Sequence, residues 1–395
     1  MILSEKRRDN KGRILKDGES QRKDGRYQYR YKDIDGKRRC IYNLDLHALR
    51  REAEEINRHL GLGVSYQDGC APLRELLDRL FWLKRNWTDS TRKTMEQYRV
   101  TISKSHLHET PINRIKVSDI KAYLIGLHDD NYAHGTIAAI FSILKMAFRL
   151  AVDDNAIMRD PCNFPLSDIL RNETPPVRAL SVEQEQALLA FLREDTVGSR
   201  YYDMVVVLLG TGLRISEFAA LTIKDIDFKY NLIHVNKQLV RLKGKVTISR
   251  TKSRRSNRDI PMTSAVRNSL ERMVTERKQN PKNHIIDGVG NFLTVTASGK
   301  PRTHSQYADL MHTFMARYQN QASVPIERCT PHVLRHTFCT NMANAGMELK
   351  SLQYLMGHSD AGITMNVYTH TTFTQAEQSM QKILKFEPKQ EAKTG

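Results

Sequence analysis

The stretch "TPHVLRHTF", residues 330–338, sets His332, Arg335 and His336 close enough along the chain to project from nearly one helical face. Thr330 followed by Pro331 reads as an N-cap and a first-turn proline, so the cluster belongs to a helix start. Backbone N–H groups at such a start already favour an anion. Two imidazoles and a guanidinium added there predict a site for a negatively charged ligand.

Around this stretch lies a mostly helical piece, 181–395, opened by the capping-box pair Ser181 and Gln184. One segment departs from the helical pattern. In "NLIHVNKQLVRLKGKVTISRTKSRRSNRDIPM" apolar and polar residues alternate, with breaks at Lys243-Gly244-Lys245 and "SRRSNR". That pattern predicts a three-stranded antiparallel sheet at 232–240, 246–252 and 258–262. Three further stretches carry unusual polar residues. "GTGLRISE" presents Arg214 and Glu217 one turn apart. Such a pair is ordinarily a modest surface salt bridge, but Gly210 and Gly212 let the backbone turn closely beside a ligand. "RTKSRRSNR" puts Lys252 at a hairpin turn in a basic loop, where a solvated charge is the ordinary reading. "LMGHSDAGITMNVYTH" ends a helix at Gly357, exposes His358 and carries Tyr368 shortly after, a spacing at which a lone tyrosine is normally half-buried core.

The whole chain has 395 residues, which calls for two or three domains, and a formal charge of +18, which calls for a polyanionic partner. DNA, RNA and an anionic membrane surface all qualify. No apolar run is expected to span a bilayer, and no signal peptide opens the chain. The cysteines, Cys40, Cys70, Cys162, Cys329 and Cys339, are scattered without a C-x-x-C pair. They predict neither a disulfide framework nor a zinc site, and fit a reducing interior.

Upstream, "SEKRRDNKGRILKDGESQRKDGR" is basic and poor in large apolar residues, which predicts a segment mobile until bound. "GRYQYRYKDIDGKRRCIYNL" then alternates aromatic and basic residues around Asp35-Gly36, a hairpin signature. Leu46, Leu49, Ala53, Ile56 and Leu60 follow at helical spacing. The strand face Arg26, Gln28, Arg30 and Lys32 is either a solvated charged surface or a β-ribbon reader of the DNA major groove. From Ala71 to Cys162 the pattern is wholly helical, with Ser90 and Ser118 as expected caps. Arg92, Lys93 and Arg99 there are ordinary surface or phosphate contacts, with equal claim. "SDILRNETPPVRALS", with Pro175-Pro176, reads as an interdomain linker.

Each polar stretch has a bland reading alone; together they do not. Arg214, Lys252, His332, Arg335, His358 and Tyr368, in that order, resemble the active-site series of tyrosine recombinases. "TGLRISE", "TPHVLRHTF", "YLMGHS" and "VYTH" carry the likeness, which spans about 180–385. The helical stretch before them resembles the family's core-binding domain. The N-terminal sheet resembles the arm-binding domain of phage and conjugative-transposon integrases, the latter looking closest, including "SEKRRDNKGRILK". One departure is local. His358 and Tyr368 stand ten apart where many members have nine, but the shorter spacing would select Val367, which has no nucleophile.

The resemblance implies a multidomain, mostly α fold with small β-sheets (α+β). Residues 1–69 would form the arm-type DNA-binding domain, 71–166 the core-binding domain, 167–180 a linker and 181–395 the catalytic domain with its tail. It implies an integrase that inserts and excises a mobile element by cutting and rejoining DNA through a covalent 3′-phosphotyrosine, with no cofactor or catalytic metal. Implied partners are double-stranded DNA at arm and core sites, three further copies in a homotetramer, an excisionase and a host DNA-bending protein. No membrane is involved, and the place of action is the bacterial cytoplasm, at the nucleoid.

Strand breakage by transesterification needs a nucleophile, charge stabilisation on the phosphate and a proton for the departing 5′-oxygen. Tyr368 would be the nucleophile; a phenol with pKa near ~10 is only about a thousandth ionised at pH 7, a deficit of about 4 kcal/mol. His332 is the implied base. Arg214 and Arg335 can clamp the non-bridging oxygens in bidentate fashion, which lysine cannot copy. Lys252 would protonate the leaving oxygen, His358 would add a phosphate hydrogen bond, and Glu217 would orient an arginine. The intermediate keeps the bond energy, and the chain carries no phosphate-loop motif for ATP. The tail "FTQAEQSMQKILKF" has an apolar stripe of Phe373, Ala376, Met380, Ile383 and Leu384, for a neighbouring copy or for its own subunit.

Rival readings fare worse. His332 and His336 form H-x-x-x-H, but a zinc protease needs glutamate where Val333 stands, and Arg335 would set a cation beside the metal. A metal-dependent transposase needs a carboxylate cluster; Asp225 and Asp227 of "KDIDF" read better as a turn. A Xer-like resolvase, a type IB topoisomerase and a non-catalytic DNA-binding regulator on the same fold remain as alternatives.

Overall fold

The computed structural model describes residues 7–175, 177–242, 244–250, 257–358 and 360–368, the side chains of 250, 363 and 366–368 excepted. The chain divides into two compact units between Pro175 and Pro176.

The first unit opens with a small antiparallel sheet ordered β1 (Glu19–Gln21), β2 (Tyr27–Lys32), β3 (Arg38–Asn43). The turn at Asp35-Gly36 falls where the sequence puts it, with Gly36 at φ +77° and Lys32 opposite Arg38. The two-residue strand period sends Tyr27 inward against helix α1 (Leu46–Gly61), while Arg30 and Lys32 are exposed. Leu46, Leu49, Ala53 and Ile56 are the buried face of α1, as their spacing predicts. The segment before the sheet is not the loose arm expected. From Arg7 on it is folded: Arg8 bridges Ile14, and buried Asp9 accepts hydrogen bonds from Arg13 and Tyr27. Arg50 of α1 meets buried Glu19 at 2.9 Å. Paired, buried charges supply the anchoring that the few apolar residues cannot.

Helices α2 (Tyr66–Gly69), α3 (Leu73–Leu83), α4 (Asp89–Ser103), α5 (Val117–Asp129) and α6 (His134–Asp153) complete this unit. The caps differ from expectation. Thr88, not Ser90, caps α4 by accepting the Thr91 N–H; at α5 the Lys116 backbone is capped by Asp119, and Ser118 lies inside the first turn. Helix α6 is long and apolar enough by length and composition to cross a membrane, contrary to the reading that no run approached that length. Its Ile137, Ile140, Phe141, Ile143, Leu144, Ala147, Phe148 and Ala151 instead fill the core between α3, α4 and α5. Burial on several faces of one helix produces the same composition as a lipid-facing one.

In the second unit α7 (Val182–Glu194) starts at the predicted Ser181–Gln184 capping box. The apolar helix α8 (Tyr202–Thr211) sits against α10 (Ser264–Gln279) and α12 (Pro331–Asn344). Between them come α9 (Ile215–Ala220) and the strands β4 (Ile226–Asp227), β5 (Leu232–Val235), β6 (Lys237–Leu242), β7 (Lys245–Arg250) and β8 (Arg258–Pro261). The expected three-stranded sheet is split. The 232–240 run breaks at Asn236: β5 lies between β4 and β8, while β6 pairs only with β7. Lys237 explains the break, since its ammonium turns to the buried Asp225 carboxylate at 2.6 Å. Asp225 is thus a buried anchor that also accepts from Thr222, and Asp227 ends β4. Helices α11 (His304–Gln321), α13 (Leu349–Met356) and α14 (Ala361–Tyr368) close the described chain, with α14 against α12 and α13.

Candidate active site

The helix start that opened the sequence reading is built as expected. Thr330 caps α12, accepting the Val333 N–H, and Pro331 occupies the first turn. Helix α12 is buried on nearly every side, through Pro331, Val333, Leu334, Thr337, Phe338 and Cys339, so Arg335 points inward and is 5% exposed. Its guanidinium donates to Gly212 O at 2.6 Å and to Met356 O. Carbonyl oxygens orient this cation without neutralising it; among the described residues it makes no ion pair. Burial, with the Arg214 charge beside it, pushes its pKa down to about 9. A buried cation held this way is stabilised by an incoming anion.

Arg214 reaches the same place from α9. Gly212 at φ +62° ends α8 in the left-handed region and turns the chain, leaving Arg214 as the N-cap of α9. The Arg214 N–H and Nη1 donate to Glu217 Oε2 and Oε1, both at 2.9 Å, and Nη2 donates to Gly357 O at 2.8 Å. Glu217 is therefore not the surface partner of an isolated i,i+3 pair. It is buried, and its other face takes Arg258 of β8, with Nη1 at 3.0 Å and Nη2 at 2.8 Å. Burial alone would raise the Glu217 pKa, but the Arg258 hydrogen bonds and charge, then Arg214, bring it down to about 2.

A cavity of about 1010 Å³ takes Arg214, His332, Arg335 and His358 into one lining, completed by Thr330, Pro331 and the α11 face carrying His304, Met311 and His312. His332 stands at its exposed rim. Desolvation, then the Arg335 and Arg214 charges, lower its pKa below the ordinary histidine value. His358 is not the exposed residue expected: it is half-buried, and its Nδ1 is 2.8 Å from Oγ1 of the wholly buried Thr364 on α14. Desolvation and then Arg335, Arg214 and Arg258 push it down to about 4, so it is neutral at pH 7. His336 lies outside this lining, hydrogen-bonded to the Val177 backbone. Among the described residues no group of three His, Cys, Asp or Glu side chains could hold a metal ion.

Lys252 lies outside the described residues. So do Phe373, Ala376, Met380, Ile383 and Leu384 of the tail. Tyr368 is described through its backbone, which closes α14. The N-terminal expectations are mixed. Arg30, Lys32 and Lys93 are exposed, but Arg26 is paired with Asp24 at 2.8 Å. Arg92 donates to Lys84 O at 2.8 Å and to Phe81 O, and stands over the Trp87 ring, so it caps the end of α3. The sequence reading missed Arg258 and Thr364. Arg258 had a legible clue: it occupies an inward strand position, opposite Val235 and two before buried Ile260. Thr364 gave none, because a threonine in a helix is unremarkable until the fold sets it against His358.

Comparison with known proteins agrees with this geometry. Residues 178–375 match the phage integrase family, and residues 3–60 match the DNA binding domain of Tn916 integrase. The chain is 36% identical to the transposase from transposon Tn1545 of Streptococcus pneumoniae and to that from transposon Tn916 of Enterococcus faecalis. In both cases the likeness covers 97% of this chain and 98% of the relative. The solved Tn1549 transposon integrase in complex with a circular intermediate DNA superposes with a TM-score of 0.75 at 36% identity, covering 79% of this chain and 99% of that one. A lambda integrase dimer bound to a core site, at 18% identity and a TM-score of 0.53, shares the fold. With Arg214, Arg335, His332 and His358 gathered in one cavity, and with likeness along almost its whole length, the chain belongs to the phage integrase family of tyrosine recombinases.

Proposed function

We propose that this chain integrates and excises a mobile DNA element, cutting and rejoining strands through a 3′-phosphotyrosine on Tyr368. The observation that carries the proposal is the shared cavity: Arg335 offers a buried guanidinium with no carboxylate partner among the described residues, next to Arg214, His332 and His358. A phosphodiester supplies the missing negative charge. In this reading the Tyr368 hydroxyl attacks phosphorus while His332, kept neutral at pH 7, takes its proton. The 5′-oxygen leaves with a proton from Lys252. Arg214 and Arg335 stabilise the charge that builds on the non-bridging oxygens, each such preorganised donor being worth about 3–4 kcal/mol of barrier. His358 adds a hydrogen bond to the same phosphate. The solved Tn1549 integrase structures include an arginine-to-lysine and a tyrosine-to-phenylalanine variant; the two changed positions lie as far apart in that chain as Arg214 and Tyr368 do here.

The partner is double-stranded DNA, read as core sites by residues 71–166 and 181–395 and as arm sites by residues 1–69. Lambda integrase has been solved as a tetramer bound to a Holliday junction, and a homotetramer is the working assembly we assign to this chain, with an excisionase and a DNA-bending protein setting direction. Action on chromosomal DNA places it at the bacterial nucleoid. A nicked core-site duplex that traps the cleaved state provides the test. The full chain should form a covalent protein–DNA adduct that Tyr368→Phe abolishes while still binding the site. Binding without any adduct would instead mark a DNA-binding regulator on a recombinase fold.

A further inference from the structure

One buried charge at the site has no role in phosphate contact. Arg258 is 3% exposed, and its guanidinium is committed to protein: both Glu217 oxygens, at 3.0 and 2.8 Å, and Leu355 O, from Nε, at 2.6 Å. Its side chain is closed off from solvent. What it touches, however, holds the cavity residues. Glu217 fixes Arg214 by two hydrogen bonds, and Arg214 in turn donates to Gly357 O. Gly357, at φ +59°, lies so close that a Cβ there would stand 2.8 Å from Arg258 Nη1. The next residue is His358. Beside this ring the Asp259 N–H donates to the Tyr354 hydroxyl at 3.1 Å, tying β8 to the end of α13 a second time.

We infer that Arg258 is a positioning residue of the recombination chemistry: through Glu217 and the Leu355 carbonyl it fixes Arg214 and His358 in one orientation toward the scissile phosphate. The inference rests on the phosphate-clamp reading of the cavity. Its physics is that of a buried ion pair whose removal strands the partner. The charged or titratable groups facing the Glu217 carboxylate are Arg258 from β8 and Arg214 from its own helix start, with Arg335 of α12 and His358 of the following loop sensing its charge. Desolvation is the largest influence on Glu217, and Arg258 is the largest opposing one. Without Arg258, the carboxyl takes up a proton at higher pH, and Arg214 loses a charge-assisted acceptor.

The test uses the full chain and the nicked core-site duplex, following single-turnover adduct formation across pH, core-site affinity and thermal unfolding. Arg258→Met should cleave about 100-fold more slowly near neutrality, the scale of loss expected from a misplaced catalytic group, with core-site affinity unchanged. The acid limb of its profile should lie at higher pH than that of the natural chain, with rate recovering as pH rises. Arg258→Lys, which keeps the charge, should restore most of the rate and return the limb to its natural position. A wild-type rate for Arg258→Met, or a loss by one factor at every pH, overturns the inference. Should Arg258→Met not fold, the pair Arg258→Met with Glu217→Gln removes both charges together; it should be slow with the acid limb of the natural chain, and wild-type cleavage by it overturns the inference equally. Failure of the unaltered chain to form any adduct would overturn the phosphate-clamp reading, a separate outcome.

Discussion

At the scale of single residues, the site is a balance of charges that are only partly neutralised. Arg214 and Arg258 share the buried Glu217 carboxylate, and burial, then the surplus positive charge, depresses the nearby imidazoles. His358 then has a folded pKa of about 4 against an ordinary 6.5. Between those pH values the unfolded chain holds a proton that the folded chain does not, so stability falls as pH drops through that window. Glu217 acts with the same sign lower down: held at about 2 against 4.5, its contribution is complete above 4.5 and lost toward 2. The melting temperature of the second unit within the full chain should therefore decline from pH 6.5 to pH 4, and His358→Gln should flatten that decline in a circular-dichroism melt. The histidine pair was legible in the sequence as residues near an anion site. Its neutral state was not, because that state depends first on burial and then on arginines drawn from other elements of the fold.

At the scale of elements, the site depends on two left-handed glycines that let helices end against one another. Gly212 ends α8 and Gly357 ends α13, each placing a carbonyl where an arginine of the site needs an acceptor. A Cβ on Gly212 would collide with the Phe338 ring and lie 3.0 Å from Met356 Sδ, besides forcing alanine to φ +62°. Gly212→Ala should destabilise the chain by about 2 kcal/mol or more, visible as a lower denaturant midpoint at unchanged slope. Adduct formation should fall with it, because α12 carries Arg335 and must shift to admit the methyl group. The "GTG" of the sequence announced a tight turn. That Phe338 fills the space beside it is a fact of packing between segments more than a hundred residues apart.

At the scale of the whole molecule, a charge of +18 makes association with DNA an ion-exchange process. With 6–10 phosphates neutralised, affinity for a core-site duplex should fall about 10³–10⁵-fold between 50 and 200 mM salt, measurable by fluorescence anisotropy. A flat response would mean that the basic residues are engaged internally, as Arg26, Arg50 and Arg92 already are. Removing residues 1–69 should weaken arm-site binding and spare core-site cleavage in the nicked-duplex assay. Equal arm-site affinity before and after truncation would refute the division of labour.

Local chemistry determined much of this protein without any structure. Helical periodicity, the Ser181 and Thr330 caps, the Asp35-Gly36 turn and the four motif stretches are properties of neighbouring residues, so the sequence displays them directly. Tertiary structure alone decided which distant groups share a carboxylate or a carbonyl. It paired Arg258 with Glu217, seated Lys237 on Asp225 and so split the sheet, and tied Arg50 of α1 to Glu19 of β1. The reason is electrostatic. A charge buried in a medium of low polarity must find its partner wherever the chain brings one, and sequence distance carries no information about that choice.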